Sequence, residues 1–207
     1  RILDKAHTSL WLLQSASRKP YEIRALLDEI VIASDGASQV IAKLRQLLRR
    51  GGQAPEALSL ASLVDDVLVF LQPDLTRRGV QIHTELDRSL RPLLLERVRI
   101  EQVLIHLVIN ACDAMAFKPL SERELSICVR AADGAALITL TDRGTGLPPE
   151  GVNLFAAFYT TKPDSAGMGL AVCKSIVESY GGRIWAEPAE SGGARFCVRL
   201  PFMEQKT

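Results

Sequence analysis

The stretch Gln102-Val103-Leu104-Ile105-His106-Leu107-Val108-Ile109-Asn110-Ala111-Cys112-Asp113-Ala114-Met115 decides how this chain is read. Val103, Leu107 and Ala111 recur at four-residue steps, the pattern of a helix with one buried face. Gln102, His106, Asn110 and Asp113 lie three or four residues apart and so project together from another side. An Asn and a His flanked by Leu107, Val108 and Ile109 imply a partly buried polar stripe, aimed at something other than bulk water.

Four further segments follow in order. Asp142-Arg143-Gly144-Thr145-Gly146 ends an apolar strand pattern with a carboxylate and two glycines. Such glycines let the backbone turn sharply and approach a flat ligand, and the Asp142 carboxylate can accept a hydrogen bond from an exocyclic amine, which adenine has and guanine lacks at that position. Phe155-Ala156-Ala157-Phe158-Tyr159-Thr160-Thr161-Lys162 sits in a long loop between residues 147 and 166. Loops of that length are usually functional or disordered. Its aromatics are expected to pin it to the body, leaving Thr160, Thr161 and Lys162 to reach phosphate oxygens when it closes. Gly167-Met168-Gly169-Leu170 precedes an amphipathic helix bearing Val172, Ile176 and Val177, so the amides of its first turn form a phosphate seat. The closing segment is Gly192-Gly193-Ala194-Arg195-Phe196. Neither a Walker loop with its Lys-Ser/Thr ending nor a full G-x-G-x-x-G is present. The Asn110 oxygen is a hard, neutral ligand suited to a Mg²⁺ ion whose charge is met mainly by phosphates.

Outward from these motifs, residues 57–207 alternate strand and helix patterns. Strands are expected at 58–60, 80–86, 92–95, 124–131, 135–141, 183–187 and 194–200, and helices at 61–78, 97–115 and 168–180. Asp133-Gly134 marks a hairpin turn between two of the strands. The expected fold is a two-layer α/β sandwich, a mixed sheet covered by helices on one face. Before it, residues 1–17 and 20–50 carry apolar stripes at helical spacing, so residues 1–50 are expected to form an antiparallel helical hairpin, with a weak spot at Ser34-Asp35-Gly36 and a linker over 51–56. The second arm is nearly twice the first, which predicts a truncated first helix.

With 207 residues, 47% of them apolar, the chain can bury a real core. A net charge of +1 without basic runs argues against nucleic acid as a partner. No stretch reaches the roughly 20 apolar residues of a membrane span, so any membrane attachment is expected only through parts absent from this chain. Cys112, Cys128, Cys173 and Cys197 are scattered without Cys-x-x-Cys pairing and read as small hydrophobes in a reducing, cytoplasmic setting.

Residues 97–200 resemble the catalytic, ATP-binding domain of two-component sensor histidine kinases. The segment 102–115 is similar to the N box, 142–146 to the G1 box, 155–162 to the F box, 167–170 to the G2 box and 192–196 to the closing glycine motif. The resemblance implies ATP and Mg²⁺ as cofactors, Asn110 as the Mg²⁺ ligand and Asp142 as the adenine-reading carboxylate. It further implies Gly144, Gly146, Gly167 and Gly169 as backbone contacts and Thr160, Thr161 and Lys162 as the ATP lid; Asp113, Met168 and Leu170 complete the candidate binding set. His106 and Lys162 are the candidate catalytic side chains. His106 departs from the family, where Asn is usual and related ATPases carry a water-activating Glu; an imidazole there can bind phosphate, act as a weak base or fill space.

The starting helices resemble the family's dimerisation and phosphoacceptor hairpin, which implies a homodimer and a response-regulator receiver domain as partners. Its H box, a His followed by an acidic residue and Pro, is absent, and His7 is followed by Thr8-Ser9-Leu10. The acceptor histidine is therefore expected upstream of Arg1 and the fragment is expected not to phosphorylate itself. Two rival readings stay open: a nucleotide-free dimerisation scaffold, and a hydrolysing ATPase of the gyrase type.

Overall fold

A computed structural model describes residues 54–149, 151–160, 167–190 and 192–202. The expected helical hairpin with its weak spot and His7, the first half of the linker, and the lid residues Thr161 and Lys162 lie outside the described residues.

Strand β1 (Glu56–Leu58) pairs antiparallel with β3 (Leu93–Leu95) in a two-stranded sheet. It starts and ends two residues before the strand expected from the Leu58-Ser59-Leu60 pattern, because Ser59 caps helix α1 (Leu60–Arg78). The Ser59 hydroxyl accepts from the Ser62 amide at 3.4 Å, which commits Leu60 to the helix. At the other end Gly79 adopts a left-handed conformation, φ +63°, and returns its amide to the Leu75 and Thr76 carbonyls.

The main sheet has the order β2 (Gln81–Leu86), β4 (Glu124–Ala132), β5 (Ala135–Asp142), β7 (Ala194–Pro201), β6 (Arg183–Pro188). Only β2 and β4 run parallel; the other pairs are antiparallel, giving the expected mixed sheet. Asp133 and Gly134, with φ of +46° and +71°, make the two-residue turn that joins β4 to β5, the geometry that matches strand twist.

Alternate residues of each strand face the helices. Leu125, Ile127 and Val129 on β4, Ile138 and Leu140 on β5, and Phe196, Val198 and Leu200 on β7 join one core with α1, α2 (Arg97–Ala114) and α3 (Gly169–Ser179). Burying each such side chain contributes about 1.5–3 kcal/mol. Leu107 of α2 and Leu125 are wholly enclosed, so α2 lies at the centre of this layer. Two polar anchors hold it. The Tyr180 hydroxyl accepts the Glu96 amide at 3.2 Å, at the residue preceding α2. Arg123 donates to the carbonyls of Arg78 (2.7 Å), Ala116 (2.9 Å) and Lys118 (2.9 Å), satisfying acceptors at the exits of both α1 and α2.

Candidate functional site

Asp142 is the single buried charged or polar residue among the described residues, 1% exposed at the end of β5. One carboxylate oxygen, Oδ1, accepts from the Gly144 amide at 2.8 Å and the Ala194 amide at 3.3 Å, so the side chain joins the turn after β5 to the start of β7. Burial pushes its carboxyl above the ordinary carboxylate range, and the two amide bonds oppose that shift. The surroundings are fitted without spare room. A Cβ on Gly193 would fall 1.9 Å from the Asp142 carbonyl oxygen, and one on Gly144 would fall 2.6 Å from the Ala114 Cβ. The Thr145 amide donates to the Ala114 carbonyl at 3.2 Å, so this turn is fastened to the last residue of α2. Gly146, φ +79°, completes the turn beside the Gly192 carbonyl.

The other end of the site is made by helices. α3 begins at Gly169 with Met168 as its cap residue and no side-chain cap bond, so its first amides are not used by a capping side chain. Met168 is largely exposed, while Leu170 packs on the core. Gln102, His106 and Asn110 are half-buried, as the spacing predicts, whereas Val103, Leu107 and Ala111 are fully buried. His106 Nδ1 lies 3.0 Å from the Gln102 carbonyl; a carbonyl only accepts, so Nδ1 carries the proton in this contact. The imidazole rests against Gly169, where a Cβ would sit 3.3 Å from its Cδ2. The polar stripe of α2 and the start of α3 therefore meet.

Asp113, expected in the binding set, also takes part in an ion pair. Its Oδ1 pairs with Arg78 on α1 at 2.7 Å, and Arg78 also pairs with Asp74 at 2.8 Å. The reason is geometric: three further residues around the helix from Asn110 bring Asp113 toward the exit of α1. The aromatic cluster of the loop also divides. Phe155 packs against the core, but Phe158 is 77% exposed with φ +67°, so it is not a pin. Gly167, φ +67°, is buried against this segment; a Cβ there would fall 2.6 Å from the Phe158 carbonyl carbon. Thr160 is exposed.

The sequence reading did not single out Gly193, Ala194 or Ala114 as site residues. Only Gly193 left a signal, in the paired glycines of its segment; an amide donor such as Ala194 is invisible in a one-letter string. Cys112 and Cys173 are buried, with thiols pushed up to about 11 and about 12 by burial, and Cys197 is buried too, pushed up to about 11. Cys128 is half-buried.

Residues 96–204, which hold the buried carboxylate bound to the amides of two glycine-bearing segments and the half-buried Asn110, match one known family: histidine kinase-, DNA gyrase B- and HSP90-like ATPases. The chain belongs to that family. Among curated relatives, this ATPase is 34% identical over 183 residues to the sensor histidine kinase TmoS of Ectopseudomonas mendocina, and 34% identical over 186 residues to the sensor protein FixL of Bradyrhizobium diazoefficiens. These alignments cover 87% and 89% of the chain but only 19% and 36% of the relatives, so the chain spans a fifth to about a third of their length. The solved catalytic domain of histidine kinase ThkA is 28% identical, covers 72% of this chain and 96% of its own, and superposes with a TM-score of 0.63. The ATPase domain is thus of the sensor histidine kinase type, and its two-layer mixed sandwich is that family's fold. Among the described residues no helix is long and apolar enough to cross a membrane.

Proposed function

We propose that this domain binds ATP with Mg²⁺ and transfers the γ-phosphoryl group to a histidine of a phosphoacceptor segment, for relay to a response-regulator aspartate. The observation that carries the reading is Asp142: a carboxylate buried to 1% exposure at a strand end, held through Oδ1 by two backbone amides, is a costly arrangement with no packing purpose. With Oδ1 occupied by amides, Oδ2 is the oxygen that receives the adenine amine, and the nearby glycines admit the flat base. Catalysis of this class is mostly positioning and charge neutralisation. The first amides of α3 take phosphate oxygens, and Thr160, Thr161 and Lys162 close over them.

Asn110 would hold the Mg²⁺. It fits because a half-buried neutral oxygen beside the phosphate end adds a ligand without adding charge, and because no group of three His, Cys, Asp or Glu side chains among the described residues could cage the ion by protein alone. When bound, the ion offsets the charge of the β- and γ-phosphates. His106, its Nδ1 proton held by the Gln102 carbonyl, lines the junction of α2 and α3 and orients the phosphate end. The acceptor is a histidine other than His7, His83 and His106, since none of the three is followed by an acidic residue and Pro. We further propose a cytoplasmic location, dimerisation through the segment before residue 51, and a receiver domain as the downstream partner.

Incubation of the chain with labelled ATP and a separately supplied phosphoacceptor hairpin tests this. Acid-labile label on the hairpin, and none on the chain alone, is the expected result. Label on His7, or steady phosphate release with no transfer, sinks it.

A further inference from the structure

The face of the main sheet turned away from α1, α2 and α3 carries a pattern that the nucleotide reading does not use. The strand registers align its side chains in cross-strand rows. Arg195, Thr141, Ser126 and His83 form one row at the Asp142 end. Cys197, Thr139, Cys128 and Glu85 form the next, and Arg130 beside Leu137 begins a third. No described helix covers these rows, and a half-open hollow of about 620 Å³ over them is lined by His83, Glu85, Ser126, Arg130, Thr139, Thr141 and Arg195 among others. That volume lies within the range of small-molecule sites.

Its polar groups are mostly hydrogen-bond donors. Two guanidinium groups, an imidazole and four hydroxyls line it, against Glu85 as the one carboxylate among the lining residues. Arg195 donates from Nε to the Thr141 hydroxyl at 3.2 Å, which fixes its fork over the sheet, although Glu187 shares its NH1 at 3.3 Å. Arg130 is exposed, and among the described residues no ion pair engages it. Four residues separate the Arg130 row from the Thr141 row along β4 and β5, about 13 Å at the rise of a strand. Arg130 stands at one end of the hollow and Arg195, with Thr141, Ser126 and His83, at the other, with the Thr139 hydroxyl in the row between.

We propose that this outer concavity is a binding site for a small organic molecule bearing two or more oxyanion groups, seated between Arg130 and the Arg195–Thr141 pair and hydrogen-bonded to the hydroxyls of Ser126 and Thr139. Planar guanidinium forks take carboxylate or phosphate in a bidentate manner, and charge-assisted bonds of that kind outlast competition from water better than neutral ones. The assignment is independent of nucleotide binding.

Amide shift mapping of the labelled chain in Mg²⁺-free buffer decides the matter, with citrate and inorganic phosphate as probes. Saturable citrate shifts at Ser126, Cys128 and Thr139, weakened about tenfold or more by Arg130→Ala and by Arg195→Ala but unchanged by the surface control Arg88→Ala, are the expected result. Stronger citrate than phosphate binding marks a multi-carboxylate ligand, and the reverse marks a phosphorylated one; either supports the site. Equal weakening by Arg88→Ala, or shifts confined to the start of α3, means an adventitious ion only and overturns it. So do concentration-dependent shifts without any probe, which show self-association through this face, and shifts with poly-glutamate but not with citrate, which show a docking surface for acidic polypeptide.

Discussion

The two ends of the nucleotide site are built by different means. At the base end, Asp142, Gly144, Gly193 and Ala194 are interlocked by backbone bonds and by the absence of room for a single added carbon. At the proposed phosphate end, Gln102, His106 and Asn110 are half-buried side chains on the surface of α2, with His106 against the first residue of α3. On the proposed reading, recognition of the base belongs to the sheet itself. Handling of the phosphates falls to side chains on a helix surface, where His106 stands.

The comparison breaks first at Gly193. Gly193→Ala must displace the Asp142 carbonyl, so we expect unfolding free energy to fall by about 3 kcal/mol or more and ADP binding to vanish with it. A melting temperature within a few degrees of the parent would show the base end to be pliable. Asp142→Asn separates recognition from stability. Its carbonyl keeps the two amide bonds, but its NH₂ then meets the adenine amine donor to donor. We expect calorimetry to find ADP bound about ten- to a hundredfold more weakly while the unliganded protein melts no lower, since the cost of burying a charge is gone.

The same carboxyl sets a pH dependence. Its pKa is raised in the folded state, so the stability it contributes is present at low pH and is lost as pH rises through the folded value. Nucleotide affinity runs the opposite way, because the adenine amine needs the ionised form: ADP binding should weaken on acidification at a higher pH than an exposed aspartate would produce. Affinity that is flat across the acidic range would exclude Asp142 as the acceptor.

Smaller effects are expected at the phosphate end. Asn110→Ala should abolish the gain in ADP affinity on adding Mg²⁺ while changing metal-free affinity by about threefold at most. Smallest is Asp113→Asn. Because Arg78 holds that carboxylate and both groups are partly exposed, chemical denaturation should register about 1 kcal/mol or less, and ADP affinity should stay within about twofold. A tenfold loss of affinity there would return Asp113 to the ligand set.

Much of this was legible in the string. Every strand and helix expected within 57–202 is present, because alternation on β4, β5 and β7 and the four-residue steps on α2 reflect a single core that enforces both periods. The Asp133-Gly134 turn was readable for a local reason, two positions needing positive φ. The exposure of Phe158 and the Arg78 partner of Asp113 were not legible, because periodicity tells which residues share a helix face or a cluster, not which distant neighbours they meet: Arg78 stands thirty-five positions from Asp113. The two-residue shift of the strand expected at 58–60 was a contest between a strand ladder and a helix cap at Ser59, decided by one hydroxyl.

The phenolic oxygen of Tyr180 has an effect beyond filling a valence. It sits one residue past α3 and receives the amide just ahead of α2, so the helix bearing Asn110 and the helix that begins at Gly169 are riveted at the end remote from both residues. The angle between these two helices is thereby fixed from outside the proposed site, so that binding at one end need not set it anew.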